Sequence, residues 1–165
     1  MHSWRVLVSP FIDCVGLKQY HKDEPWDGPN NRKLHGENYM QREYRCPADQ
    51  SEPRTATNIV AVVGPSTLWP GTTPGNSEKI GKGASQTAFL VEVANSGIHW
   101  MEPRDLEMSS FDPTINSTSG RSISSNHVGG ANVAFADGSV RCLSPHTSPE
   151  VLKAMLTTDV SDDAR

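Results

Sequence analysis

Six ionisable residues stand where they could do chemistry: Glu92, His99, Glu102, Arg104, Asp105 and His127. Glu92 interrupts the apolar run Phe89-Leu90-Val91-Glu92-Val93-Ala94, and a carboxylate at a mostly buried strand position must be paired or hydrogen-bonded, because an isolated buried charge is very costly. His99, Glu102, Arg104 and Asp105 fall within seven residues around Trp100 and Pro103, and are expected to form one polar cluster facing Glu92 and His127. Three chemistries fit these residue types. An Arg104 ion pair with Asp105 or Glu92 would fasten the loop to the sheet and is the most economical. An oxygen-ligand site for calcium and an acid–base site are the other two. His99 and Glu102 lack the H-E-x-x-H spacing of a zinc helix, and Pro103 argues against a helix presenting them together. His127 is read as a hydrogen-bonding residue beside Gly129-Gly130, where backbone can approach closely, with a ligand or base role as the alternative.

The elements that must position these groups follow from pattern. Asp137-Gly138 lies between Ala131-Asn132-Val133-Ala134-Phe135 and Ser139-Val140-Arg141-Cys142-Leu143, a strong hairpin signal. A two-residue turn there pairs Phe135 with Val140 and Val133 with Cys142, so those four side chains are expected on one inner face. Ile59-Val60-Ala61-Val62-Val63 reads as a strand stopped by Gly64-Pro65, and Ser85 to Ala94 as the central strand. Residues 64–86, with five Gly and three Pro, form a long loop. Gly81-Lys82-Gly83 within it is a turn, not a phosphate loop, since the flanking Gly and Ser/Thr of that motif are missing.

Trp4, Leu7, Phe11, Ile12, Val15 and Leu17 recur at helical spacing over residues 4–21, and the apolar stripe is expected on the sheet. A short helix capped by Asp27 or Asn30 runs to Leu34 and stops near Gly36, with Trp26 as a lid over the core edge and a binding aromatic as the alternative. Near the other end, Ser148 caps a helix with Pro149 at its first position, Glu150 in its first turn and Val151, Leu152, Met155 and Leu156 on its apolar face. Residues 157–165 are expected to fray.

The 165 residues give room for a single domain, 1–165, and the net charge of −4 with no basic cluster speaks against a nucleic-acid partner. No apolar run approaches the roughly 20 residues of a membrane helix. Cys14, Cys46 and Cys142 form no C-x-x-C pair. Cys142 is expected as a buried small hydrophobe, and a Cys14–Cys46 bridge is an option only in an oxidising compartment.

His127, nine intervening residues, then Asp137-Gly138 resembles the C-terminal signature of the prepilin-type, processing-associated "His, nine residues, Asp-Gly" domain family of planctomycetes, domain of unknown function 1559. Ser3-Trp4-Arg5-Val6-Leu7, Asp23-Glu24-Pro25-Trp26-Asp27, Tyr44-Arg45-Cys46-Pro47, Ala61-Val62-Val63-Gly64-Pro65, Val91-Glu92-Val93-Ala94 and Ile98 to Leu106 agree with it in order. The resemblance implies an α+β fold like a pilin head: an antiparallel sheet of about four strands with an N-terminal helix packed on it and a short C-terminal helix. It implies a non-enzymatic, pseudopilin-like structural protein of the cell envelope, related to type II secretion or type IV pilus systems. Its partners would be other pilin-like or secretion-system subunits, without a cofactor. The leader and apolar helix of full-length relatives are absent from this sequence, which is expected to start after the anchor and, as it stands, to be soluble. An extracytoplasmic ligand- or calcium-binding module is the second reading, and a hydrolase the weaker third.

Overall fold

β-branched density and burial on both faces make residues 59–63 and 88–92 the middle of a sheet. The computed structural model describes residues 1–12, 16–71, 80 and 83–158. Expectations for Cys14, Val15, Gly81-Lys82 and the 159–165 tail lie outside the described residues. The chain divides into two compact units, residues 1–58 with 95–104 and residues 59–94 with 105–165.

The second unit holds a five-stranded sheet: β1 (Ile59–Val63), β2 (Ala88–Glu92), β3 (Leu106–Glu107), β4 (Ala131–Phe135) and β5 (Val140–Leu143), in the order β3-β1-β2-β4-β5. The class is α+β, with β2 central as its apolar run requires. One strand more is present than expected, and the sheet is mixed. β1, β2, β4 and β5 pair antiparallel, whereas β3 runs parallel to β1 through Val62–Leu106 and Val63–Glu107. A two-residue strand beside charged neighbours carries too little periodicity to be read from sequence. Val60, Ala61, Val62, Val91, Val133 and Phe135 are all buried, together with Leu152 and Leu156 of the C-terminal helix α2 (Pro149–Leu156). That helix is capped as expected: the Ser148 hydroxyl accepts from the Val151 N–H and Pro149 sits in the first turn. Its apolar face is narrower than the pattern suggested, since Val151 is exposed. Beyond it Thr158 does not fray: it is buried and its N–H donates to the Ser66 carbonyl.

The β4–β5 hairpin forms, but one residue out of the expected register. Ala134 faces Val140, Val133 faces Arg141 and Asn132 faces Cys142. A two-residue type I′ turn needs positive φ at both central positions. Only Gly138 has it (φ 84), and the Asp137 carboxylate is spent on the Ser139 N–H and hydroxyl at 2.9 and 2.6 Å. The loop therefore closes over three residues, with Gly138 N–H donating to Phe135 O and Phe135 N–H to Ser139 O. Phe135 is fully buried while Val140 is 64% exposed, so the two lie on opposite faces. Cys142, expected inside, is exposed for the same reason. At the hairpin's open end, a Cβ on Gly130 would fall 1.9 Å from the Leu143 carbonyl oxygen, so only glycine lets the strands close.

The first unit is built from short turns around its own core of Val6, Leu34, Tyr44, Trp100 and Met101. The N-terminal helix α1 is only Trp4–Val8, capped by the Ser3 hydroxyl, and Pro10 follows in a separate 3-10 turn (Ser9–Phe11). Gly16–Gln19 forms a further 3-10 turn, so the single long helix expected over 4–21 is broken. Asn31–Leu34 is one 3-10 turn ending at His35, close to the expected stop. Trp4, Val8, Leu17, Trp26 and Tyr39 pack around this core, which places Trp26 at its edge.

Gly138→Val is expected to cost about 1–2 kcal/mol or more, because a β-branched residue is strained at that φ. Gly138→Asn is expected to cost much less, since Asn tolerates the left-handed region. Urea denaturation at unchanged m-value measures both.

Candidate functional site

A helix that carries one arginine among apolar neighbours must either turn it to water or satisfy it inside. Arg5 of α1 is fully buried. Its guanidinium donates to the carbonyls of Trp100 (3.1 Å), Glu102 (3.0 Å) and Arg104 (2.9 Å). The Arg5 carbonyl in turn accepts from the hydroxyls of Tyr44 (2.6 Å) and Ser9 (2.7 Å). Arg5 thereby clamps the segment that carries the candidate residues onto α1. Sequence reasoning passed over it; the signal was a lone cation in Trp4-Arg5-Val6-Leu7-Val8.

Within that segment His99 lies against His35, ring centroids 4.5 Å apart, and Trp26 stacks on His35 at 5.1 Å with planes 12° apart. The His99 Nδ1 accepts from the Met101 N–H at 3.1 Å, and Nε2 donates to the His35 carbonyl at 3.2 Å. Both ring nitrogens are thus used with one proton, which fixes the neutral Nε2–H tautomer. Burial pushes the His99 pKa below its usual value, and the neighbouring His35 and Arg5 charges act in the same direction, against the His35 carbonyl and Glu102. Glu102 accepts from the His99 backbone N–H at 3.3 Å and takes a two-pronged bond from Arg104 at 2.8 and 3.2 Å. Arg104 also donates to the Gly97 carbonyl at 2.8 Å. The expected pairing of Arg104 with Asp105 or Glu92 is therefore replaced by one with Glu102, two residues away, because side chains two apart in extended chain share one side.

Asp105 and Glu92 work separately, in the second unit. Asp105 accepts the Ala61 N–H of β1 at 2.8 Å. Glu92, buried, accepts from the Ser125 hydroxyl at 2.7 Å and from the Asn132 N–H and side-chain amide at 3.1 and 3.2 Å. This is the hydrogen bonding that a carboxylate in an apolar strand demands. By holding Ser125 and Asn132, Glu92 closes the loop that carries His127 and Gly129-Gly130. His127 is exposed on that loop, its N–H donating to the Ser125 hydroxyl at 3.1 Å. The five residues expected to cluster thus do not gather in one place: His99, Glu102 and Arg104 form a local group in the first unit, whereas Glu92 and Asp105 are each bound to their own donors in the second.

The two arginines of this segment should differ in energetic weight. Arg104 and Glu102 are 54% and 25% exposed, so Arg104→Ala is expected to cost less than about 1 kcal/mol. Arg5→Met keeps the packing volume but strips three carbonyls of their donor, and is expected to cost about 3 kcal/mol or more. Chemical denaturation of the two variants side by side checks the contrast.

His99 also sets a pH dependence. Its folded pKa lies below the value of 6.5 it regains on unfolding. The unfolded chain therefore takes up a proton first as pH falls, and stability should decline as the pH drops through 6.5 toward the lower folded value. Above 6.5 this contribution is level. Melting curves between pH 8 and 5 should show that His99→Gln has a shallower acid-side slope than the parent chain; equal slopes would refute the assignment.

No curated protein and no solved structure matches the chain. A family model described as a protein of unknown function, DUF1559, matches residues 62–150, just over half of the 165 residues. The matched stretch contains Glu92, the 99–105 segment, His127 and the Asp137-Gly138 turn. The match stops short of α1 and the His35 ring. On that match, the chain belongs to the DUF1559 family.

Proposed function

We propose that the chain is a non-enzymatic, pseudopilin-like structural subunit, working outside the cytoplasm by assembly with other pilin-like or secretion-system subunits. The observation that carries this reading is how the most chemically suggestive side chains are employed. His99 uses both ring nitrogens on backbone groups, Glu92 spends its oxygens on Ser125 and Asn132, and Asp105 holds β1. General acid–base work needs a group with a free position facing a substrate. These groups instead fix loops to strands and turns, as a scaffold requires.

Family membership and the prepilin-type signature at His127, Asp137 and Gly138 support the same reading. No helix among the described residues is long and apolar enough to cross a membrane.

Formaldehyde cross-linking of the tagged, genomically encoded protein in its own host, followed by fractionation, tests it. The expected result is recovery with envelope material, cross-linked to proteins that bear prepilin-type leaders. Recovery in the cytoplasmic fraction without such partners would overturn it.

A further inference from the structure

Residues 37–54 of the first unit enclose a cleft of about 790 Å³. That is within the roughly 300–1,000 Å³ of small-molecule sites. Three guanidiniums line it, those of Arg42, Arg45 and Arg54, against the two carboxylates of Glu37 and Asp49, which leaves one formal positive charge. Asp49 counts as ionised: burial pushes its pKa up, but hydrogen bonds from Ser51 and Asn58 and the Arg45 charge outweigh that and hold it at about 2.

The three arginines are not equivalent. Arg45 gives its terminal nitrogens to the carbonyls of Asp49, Ser51, Pro53 and Ala56, so it is a fixed strut of the wall. Arg54 has only an exposed pairing with Glu37 at 3.4 Å. Arg42 makes no side-chain hydrogen bond or ion pair among the described residues and is exposed. Gln41 is 8% exposed and gives its side-chain N–H to the Ser9 carbonyl at 3.4 Å, with its amide oxygen buried away from the cleft space. Met40 and Pro47 supply apolar surface.

We propose that this cleft binds a small monocarboxylate with an apolar body, the size of an N-acyl dipeptide, through Arg42 and Arg54. Guanidinium forks match a carboxylate in two parallel bonds. The single excess charge suits a monoanion, while Glu37 and Asp49 on the same walls repel a dianionic phosphate. Met40 and Pro47 then face the apolar part. This binding role is separate from the assembly reading, and either stands if the other fails.

The test is a titration of the ¹⁵N-labelled full chain with N-acetyl-leucyl-alanine, with its C-terminal amide and with inorganic phosphate, followed by amide shifts. The free carboxylate should give saturable shifts centred on residues 37–54, with the C-terminal amide about tenfold weaker. Arg42→Gln and Arg54→Gln should each weaken binding about tenfold while resonances outside the cleft keep their positions, which shows an intact fold. Equal affinity for acid and amide, tighter binding of phosphate, shifts centred elsewhere, or no saturation below about 10 mM would each overturn the proposal.

Discussion

A guanidinium shut away from water has to be surrounded by acceptors, and in this protein that requirement organises a whole unit. Arg5 is fully buried, and its acceptors are the backbone carbonyls of residues 100, 102 and 104. Those carbonyls point inward in a segment with no regular structure of its own. Such a segment would otherwise carry buried acceptors at a cost of about 1–3 kcal/mol each. The clamp fixes the backbone around His99, and from there the ring order of Trp26, His35 and His99 follows. Arg5 is thus less an ionic partner than an extension of the one antiparallel bridge, Ala56 to His99, that the 95–104 segment makes.

Glu92 answers the same constraint with the opposite charge. It sits at the end of the central strand, where Ile59 is its neighbour in the sheet, and its oxygens gather Ser125 and Asn132 from either end of one loop. Arg5 in the first unit and Glu92 in the second are thus buried charges that hold irregular chain in place. In a domain with only 35% hydrophobic residues, polar ties of this kind carry loops that apolar packing could not cover.

The sequence made the strong local patterns legible: β1, β2, the β4–β5 hairpin, the Ser148 cap and the need to satisfy Glu92. What it concealed was set by a few dihedral angles or by distant partners. Asp-Gly announces a turn, yet whether Asp137 takes positive φ decides between two and three loop residues, and that choice moved Val140 and Cys142 to the outer face. The helical spacing of Trp4 to Leu17 did not mark one buried stripe: Trp4, Ile12 and Leu17 pack on a small core, whereas Leu7 and Phe11 are exposed. His35 had no visible link to His99, since 64 residues separate them and the link is a ring contact with a backbone carbonyl. Arg104 looked like a partner for Asp105 because the two are adjacent, but adjacent side chains diverge in extended chain, whereas Glu102, two residues back, lies on the same side as Arg104.

The two outer strands of the sheet carry a consequence for self-association. β3 offers only Leu106 and Glu107 before the chain turns away at Met108–Ser110. β5 has four residues, and its Arg141 folds back over the Phe135 ring at 4.3 Å and bonds the Ser85 carbonyl at 2.6 Å. Neither border presents a long, flat row of unpaired peptide groups, the template on which foreign strands are added. Borders of two and four residues give a neighbouring strand little backbone to pair with, which limits sideways growth of the sheet from one molecule into the next.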